Sequence, residues 1–201
     1  MVDYSEGADS SRRSRPRYRS KDEIEARRRA RNAARSESDW RAYARDICYR
    51  QLSAMDRSTF QLREAMVRRD VPELIIEDTV AAFVEADLVD DERFALTFVR
   101  LRAESRPCSR RSLLKDLRER GIAGDLAQRA VESIDENFEL ESARNLAQKK
   151  MRSLAGVDRH VARRRLYGAL ARRGFAPNIV VQVLNEVASA ESDADGASPS
   201  F

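Results

Sequence analysis

Leu62-Arg63-Glu64-Ala65-Met66-Val67-Arg68-Arg69-Asp70-Val71, followed at helical spacing by Ile75, Val80 and Phe83, decides the fold because the chain writes it three times. Fifty-one residues on, the apolar places and the break hold Leu113, Leu117, Gly121, Ile122, Leu126, Val131 and Ile134. Fifty-three further on stand Leu166, Leu170, Gly174, Phe175, Ile179, Leu184 and Val187, with no gap inside the block. An apolar pair four apart, a break, then apolar residues on one helical face predict two amphipathic helices around a tight turn.

Each block is preceded by a further helical pattern. It runs from Trp40 to Leu52 with Tyr43, Ile47, Cys48 and Leu52 on one face, and from Asp91 to Arg102 with Phe94, Phe98, Val99 and Leu101. In the third block it covers about Leu140 to Met151, with Ala143, Leu146, Ala147 and Met151. The fold class is therefore all-α: a tandem array of three three-helix repeats, about nine helices, at 39–89, 90–138 and 139–188. No segment alternates with period two for long enough to predict a strand. Arrays of helical units are built to grip extended partners and are seldom enzymes.

Local signals agree with these boundaries. Ser58 with Gln61 forms a capping-box pattern, and Ser109 stands at the aligned place. Gly121 and Gly174 stand where a helix must end in a left-handed turn, which glycine adopts without strain. Asp70 occupies that place in the first repeat, and relief of strain there predicts that Asp70→Gly stabilises the fold.

The 201-residue chain is 36% charged and 42% hydrophobic, the balance of a helix-rich protein with thin cores and much solvated surface. Cys48 and Cys108 lie far apart and read as buried small apolar residues, because the composition lacks a disulfide framework. No apolar run approaches the ~20 residues of a membrane span. The charged N-terminus has no apolar stretch after it, so it is not a secretory signal, and a cytoplasmic protein is expected. No long heptad repeat demands a dimer, so a monomer is expected.

Outside the array, residues 1–38 read as a disordered Arg-rich arm and 189–201 as a short disordered acidic tail. The arm offers Arg12, Arg13, Arg15, Arg17, Arg19, Arg27, Arg28 and Arg29 as auxiliary DNA contacts, and its second part, Lys21 to Arg35, is suited to become helical on a partner.

Net charge is only +4, but it is unevenly placed. The middle helix of each unit is basic: Arg57, Arg63, Arg68 and Arg69 against Glu64 in the first; Arg110, Arg111, Lys115, Arg118 and Arg120 against Asp116 and Glu119 in the second. The third has Arg159, Arg163, Arg164, Arg165, Arg172 and Arg173 with no acid. The segments that follow are acidic, with nine carboxylates and no Lys or Arg from Asp70 to Glu92. One reading is a basic ridge able to orient a charged polymer; the other is a set of solvated faces paired with neighbouring acidic helices.

Catalytic chemistry is sparse. His160 is the one histidine, no Cys/His cluster has metal-ligand spacing, and no glycine-rich loop is present to cradle phosphates. Asp90-Asp91 directly precede a helix and read as capping carboxylates. No cofactor is implied.

Leu88-Val89-Asp90-Asp91-Glu92-Arg93-Phe94-Ala95, followed by Phe98-Val99, resembles the most recognisable segment of the RecX regulators of bacterial recombination. Leu113 to Ile122 resembles that family's second-repeat segment, and Leu166 to Phe175, ending Ala171-Arg172-Arg173-Gly174-Phe175, the third. The similarity covers about Asp39 to Val187. It implies an elongated, curved helical array that regulates the RecA recombinase, most often by inhibition, in recombination, DNA repair and the SOS response. Family members are thought to lie in the groove of the RecA–single-stranded-DNA filament and to suppress ATP hydrolysis and strand exchange without being enzymes. The chain departs from the family at Asp70, at Met55-Asp56 and in its Arg-rich arm.

On this reading the candidate contacts to RecA or DNA are Arg110, Arg111, Lys115, Arg118 and Arg120 in the second repeat, with Arg163, Arg164, Arg165, Arg172 and Arg173 in the third. Arginine binds phosphate or carboxylate bidentately, which suits both partners. The alternatives are a general nucleic-acid-binding module acting through DNA phosphates without RecA contact, and a helical scaffold for another acidic partner.

Overall fold

The computed structural model describes residues 20–135 and 137–196, with side chains to residue 190. Ten helices follow one another, and the described residues contain no strand. Helix α1 (Lys21–Ala33) precedes three groups of three: α2 (Glu37–Leu52), α3 (Thr59–Val67) and α4 (Glu73–Glu85); α5 (Asp91–Ser105), α6 (Arg110–Arg118) and α7 (Gly124–Glu132); α8 (Phe138–Arg152), α9 (Arg159–Arg172) and α10 (Pro177–Gly196).

Each group closes its own apolar core, and the cores occupy the periodic places. Leu62, Leu113 and Leu166 are fully buried, as are Met66, Leu117 and Leu170 one turn on. Val71, Ile122 and Phe175 follow the left-handed turns and are buried too. In the first helix of each unit, Ala44, Ala95 and Ala143 are fully buried, and this small side chain lets the helix approach the other two closely. Leu101 departs from expectation: it is 55% exposed at the outer side of α5.

Adjacent repeats meet through a joint that the chain builds twice. The Ser58 hydroxyl accepts from the Gln61 amide, capping α3, and donates to the Arg120 carbonyl of the next repeat at 2.6 Å. The Ser109 hydroxyl accepts from the Ser112 amide and donates to the Arg173 carbonyl at 2.7 Å. Both serines are fully buried, so a helix cap and an inter-repeat bond depend on one oxygen. Gly121 (φ 81°) and Gly174 (φ 79°) follow those carbonyls. A methyl group on Gly121 would overlap the Phe60 side chain, and one on Gly174 would press on the Ser109 hydroxyl. Glycine is thus needed for both conformation and close approach.

The following repeat also reaches back. Asp91 accepts from the Thr59 amide at 2.8 Å and the Thr59 hydroxyl at 2.7 Å, holding the start of α3. Its neighbour Asp90 caps α5, accepting from the Glu92 and Arg93 amides. At the second joint the Ser142 hydroxyl accepts from the Cys108 amide at 2.7 Å. Asp90 therefore caps the helix it precedes, as expected, whereas the Asp91 carboxylate serves the start of α3 in the preceding repeat.

Both ends of the array are modified. The expected arm contains helix α1, started by a capping box of Ser20 and Glu23. No residue of α1 is buried. Its partner is the end of α3 in the same chain, where Arg28 Nε lies 3.1 Å from the Asp70 carboxylate and Asn32 Nδ2 donates to the Arg69 carbonyl and to Asp70. Arg69 stands where Arg120 and Arg173 stand in the later repeats, so Asn32 reaches the carbonyl that a preceding serine would otherwise bond. Asp70 is left-handed as predicted (φ 61°). Its carboxylate is engaged by α1, so replacing it by glycine removes that anchor along with the strain. At the other end, Ala162 takes the place of Ser58 and Ser109, and α9 begins one turn earlier, capped by Asp158. The expected tail from Ser189 starts inside α10, and residues 197–201 lie outside the described residues.

Gly121 and Gly156 share a left-handed φ, but nothing lies within reach of a methyl on Gly156. We expect Gly156→Ala to cost about 1 kcal/mol, the conformational strain alone, and Gly121→Ala to cost at least about 2 kcal/mol more through overpacking at the joint. Thermal denaturation of the two variants measures the difference; equal costs would mean that the joint yields freely.

Candidate nucleic-acid interface

The cations chosen from the sequence do not form one continuous ridge. Arg110 and Arg163, at equivalent places, serve the fold. Arg110 turns inward and donates to the carbonyls of Val131 (2.8 Å), Ile134 (3.0 Å) and Asp135 (2.9 Å), closing the C-terminus of α7. Arg163 donates to the Leu184 carbonyl at 3.2 Å in the aligned position on α10. At the end of α7 the Arg110 guanidinium satisfies orphan carbonyls and opposes the negative end of the helix dipole, whereas Leu184 lies within the longer α10. Arg120 bends back to the Asp116 carbonyl and lies 4.3 Å above the Phe98 ring, so it too is largely internal.

The first repeat keeps its cations at home as well. Arg63 pairs with Glu77, Arg68 with Glu64, and Arg69 donates to the Ala65 carbonyl. On α4, Asp78 pairs with Arg41. Only Arg63 joins the basic helix to the acidic one; Arg68 pairs within α3, Arg69 turns to the backbone, and Arg57 makes no ion pair among the described residues.

What remains converges at the second joint. Arg111, Lys115 and Arg118 of α6 face Arg172 and Arg173 at the end of α9 across a groove of about 520 Å³. Ser112, Leu114, Ala171 and Gly174 complete the wall. No carboxylate lines it. Arg111, Arg118 and Arg172 are exposed and make no ion pair with the described residues. Lys115 has only a long contact to Glu119, 3.8 Å on the exposed helix surface. Arg173 donates to the Pro107 carbonyl at 2.9 Å, which fixes it at the rim. Five cations without an internal anion repel one another, and an anion in the groove relieves that repulsion. The groove suits phosphates or carboxylates on an extended partner.

The equivalent surface at the first joint presents Phe60, Glu64 and Val67 where the second has Arg111, Lys115 and Arg118. Cation count along each helix does not reveal this difference; aligning the three repeats residue by residue does. Arg164 and Arg165 are exposed on α9 but do not line the groove. Of the arm, Arg27 is exposed, Arg28 is engaged by Asp70, and Arg29 pairs loosely with Glu25. Arg12, Arg13, Arg15, Arg17 and Arg19 lie outside the described residues.

No group of His, Cys, Asp and Glu among the described residues could hold a metal ion. His160 sits exposed in the first turn of α9. Cys48 and Cys108 are free and buried; burial pushes the Cys48 thiol up to about 11 and raises that of Cys108 as well. Neither is a thiolate poised for reaction.

Glu139 lies beside Arg110. Burial raises its carboxyl above the ordinary value, against the opposing pull of the Arg110 guanidinium and the Arg110 and Ala176 amides. The folded chain then keeps this proton to higher pH than the unfolded chain, so its contribution to stability falls as pH rises from 4.5 through the folded pKa. Glu139→Gln should therefore gain on the natural chain as pH rises, read as the difference in melting midpoint from roughly pH 4 to pH 7. In the same assay, Arg110→Ala should cost about 2 kcal/mol through lost charged hydrogen bonds at the end of α7. Arg111→Ala and Arg118→Ala should each stay within about 0.5 kcal/mol of the natural chain.

Family models for the first, second and third three-helix domains of RecX match residues 44–82, 90–131 and 138–184. The chain is 36% identical over 150 residues to the regulatory protein RecX of Streptomyces coelicolor, covering 75% of this chain and 80% of that protein. It is 36% identical over 162 residues to that of Thermobifida fusca, covering 80% and 88%, and 31% identical over 160 residues to that of Mycobacterium avium, covering 79% and 92%. The fold superposes on the crystal structure of RecX from Lactobacillus salivarius with a TM-score of 0.66 at 18% identity, covering 74% of this chain and 97% of that one. A second RecX crystal structure gives 0.67 at 20% identity, covering 83% and 79%. Three matched repeats in their proper order and relatives 31–36% identical over most of their length lead to one conclusion: this chain is a member of the RecX family of regulatory proteins.

Proposed function

We propose that this protein regulates a RecA-type recombinase by binding its filament on single-stranded DNA, inhibiting ATP hydrolysis and strand exchange. The observation that carries the reading is the acid-free groove at the second joint, with Arg111, Arg118 and Arg172 left without carboxylate partners among the described residues, in a chain of the RecX family. Ion pairs and backbone contacts engage Arg63, Arg68 and Arg69 of the first repeat, whereas these three carry no such partner among the described residues. They are held on two helices whose relative placement the Ser109–Arg173 bond fixes, so they meet a polymer as one preorganised patch. Several weak contacts on one body gain from effective concentration. The partner's anions come from DNA phosphates or from acidic side chains on the recombinase. The reading assigns no catalysis and no cofactor, and places a monomer in the cytoplasm.

The test titrates the protein into cognate RecA on single-stranded DNA, following ATP hydrolysis and direct DNA binding in one buffer. Hydrolysis should fall at a small fraction of the RecA concentration while most DNA remains free of this protein. Inhibition only after the DNA is coated would instead favour a general nucleic-acid-binding module, with strong salt dependence. The triple variant Arg111→Ala, Arg118→Ala, Arg172→Ala should lose at least about tenfold in inhibitory potency at unchanged stability. An unchanged potency would remove the groove from the interface.

A further inference from the structure

Helix α1 is joined to the array in a way unlike any repeat. At the two internal joints a buried serine hydroxyl donates at 2.6 and 2.7 Å. At the open end of the first repeat, Asn32 donates to the Arg69 carbonyl at 3.4 Å and Arg28 Nη1 to the Arg68 carbonyl at 3.5 Å. The remaining anchors are the Asp70 carboxylate, half exposed, and Arg35, whose guanidinium lies 4.7 Å from the Trp40 ring centre and 3.7 Å from that of Tyr43. The polarity is also reversed. A serine joint sets the N-terminus of one helix against the C-terminus of another, whereas here the last turns of α1 and α3 meet, negative end to negative end. Arginines offset that repulsion.

The solvent side of α1 carries Arg27 and Arg31 one turn apart, exposed and without an ion pair among the described residues. Like charges at this spacing weaken a helix, and a short helix with no buried face is marginal by itself. An external chain of phosphates would neutralise this row. It would also compete with Asp70 for Arg28, which lies between the row and the joint.

We infer that α1 is a detachable clasp on the open end of the array, exchanged from Asp70 to a phosphate polymer that takes Arg27, Arg28 and Arg31. Docked, α1 covers the end of α3 and holds Arg28 on a carboxylate. Exchanged, it gives Arg28 to the polymer and leaves the Arg69 carbonyl to water. This does not rest on the recombinase reading, because neither recombinase nor nucleobases are needed.

Trp40 is the only tryptophan in the chain and sits under Arg35, so its emission reports on the clasp. Inorganic polyphosphate is titrated into the full chain at constant ionic strength, with binding read by anisotropy of labelled polyphosphate. Trp40 emission should move, on saturation, to the value that Arg28→Ala, Asn32→Ala shows without ligand. Asp70→Asn should bind polyphosphate about threefold or more tighter than Asp87→Asn, since it removes the internal competitor. Asp87→Asn deletes the same charge and a comparable exposed ion pair, with Arg93, at the other end of α4. Arg27→Ala, Arg31→Ala should weaken binding severalfold. Binding with Trp40 unmoved, equal affinities for the two aspartate variants, or undiminished binding by the arginine variant would each overturn the proposal. Oligothymidylate of matched charge distinguishes the sources: tighter binding than polyphosphate assigns a nucleic-acid strand, and equal binding assigns phosphate charge alone, the clasp standing in both cases.

Discussion

The hydrogen bond from a capping serine to the last carbonyls of the next repeat's middle helix is the constraint on which the rest depends. Each three-helix unit closes its own core, so burial alone fixes the units but not their relation. Ser58 to Arg120 and Ser109 to Arg173 supply that relation together with the Thr59–Asp91 and Cys108–Ser142 bonds, with the adjoining glycine backbone close to Phe60 or Arg111. The start of α6 meets the end of α9 at the second of these contacts, and the cationic groove lies there as a consequence. A shift at Ser109 would separate Arg111 from Arg173 before it disturbed any core.

Much of the fold was legible because burial imposes a period. Leu62, Leu113 and Leu166 read as equivalent and are equally buried, and the same holds for Met66, Leu117 and Leu170. The caps were legible because serine, aspartate and glycine have local reasons to stand at helix ends. The cations were legible only as a composition. Arg110 and Arg163 look like surface charges, but their partners are backbone carbonyls, which leave no mark in the sequence. Helix α1 was read as part of a disordered arm for a related reason. None of its residues is fully buried, and its docking rests on two carbonyls and on one aspartate that looks like a flaw in a glycine pattern.

Repetition carries two kinds of information here. The apolar places repeat because every unit must fold. The surface places differ because each unit meets different surroundings: Phe60, Glu64 and Val67 at one joint, Arg111, Lys115 and Arg118 at the next. Recurrence alone does not sort the charges: Arg110 and Arg163 recur and bond backbone carbonyls, whereas Arg111 and Arg164 recur and stand exposed.

Ala162 has a wider consequence. The first two units each offer a hydroxyl to a successor, and the third offers a methyl group at the same place, beneath an added turn of helix. A modular array assembled by duplication has no inherent stopping length, and copies of such a chain could in principle add end to end into a fibre. With Ala162 in place of the serine, the start of α9 lacks the hydroxyl that forms the other two joints, so this face cannot repeat the Ser58 or Ser109 bond to another copy of the unit.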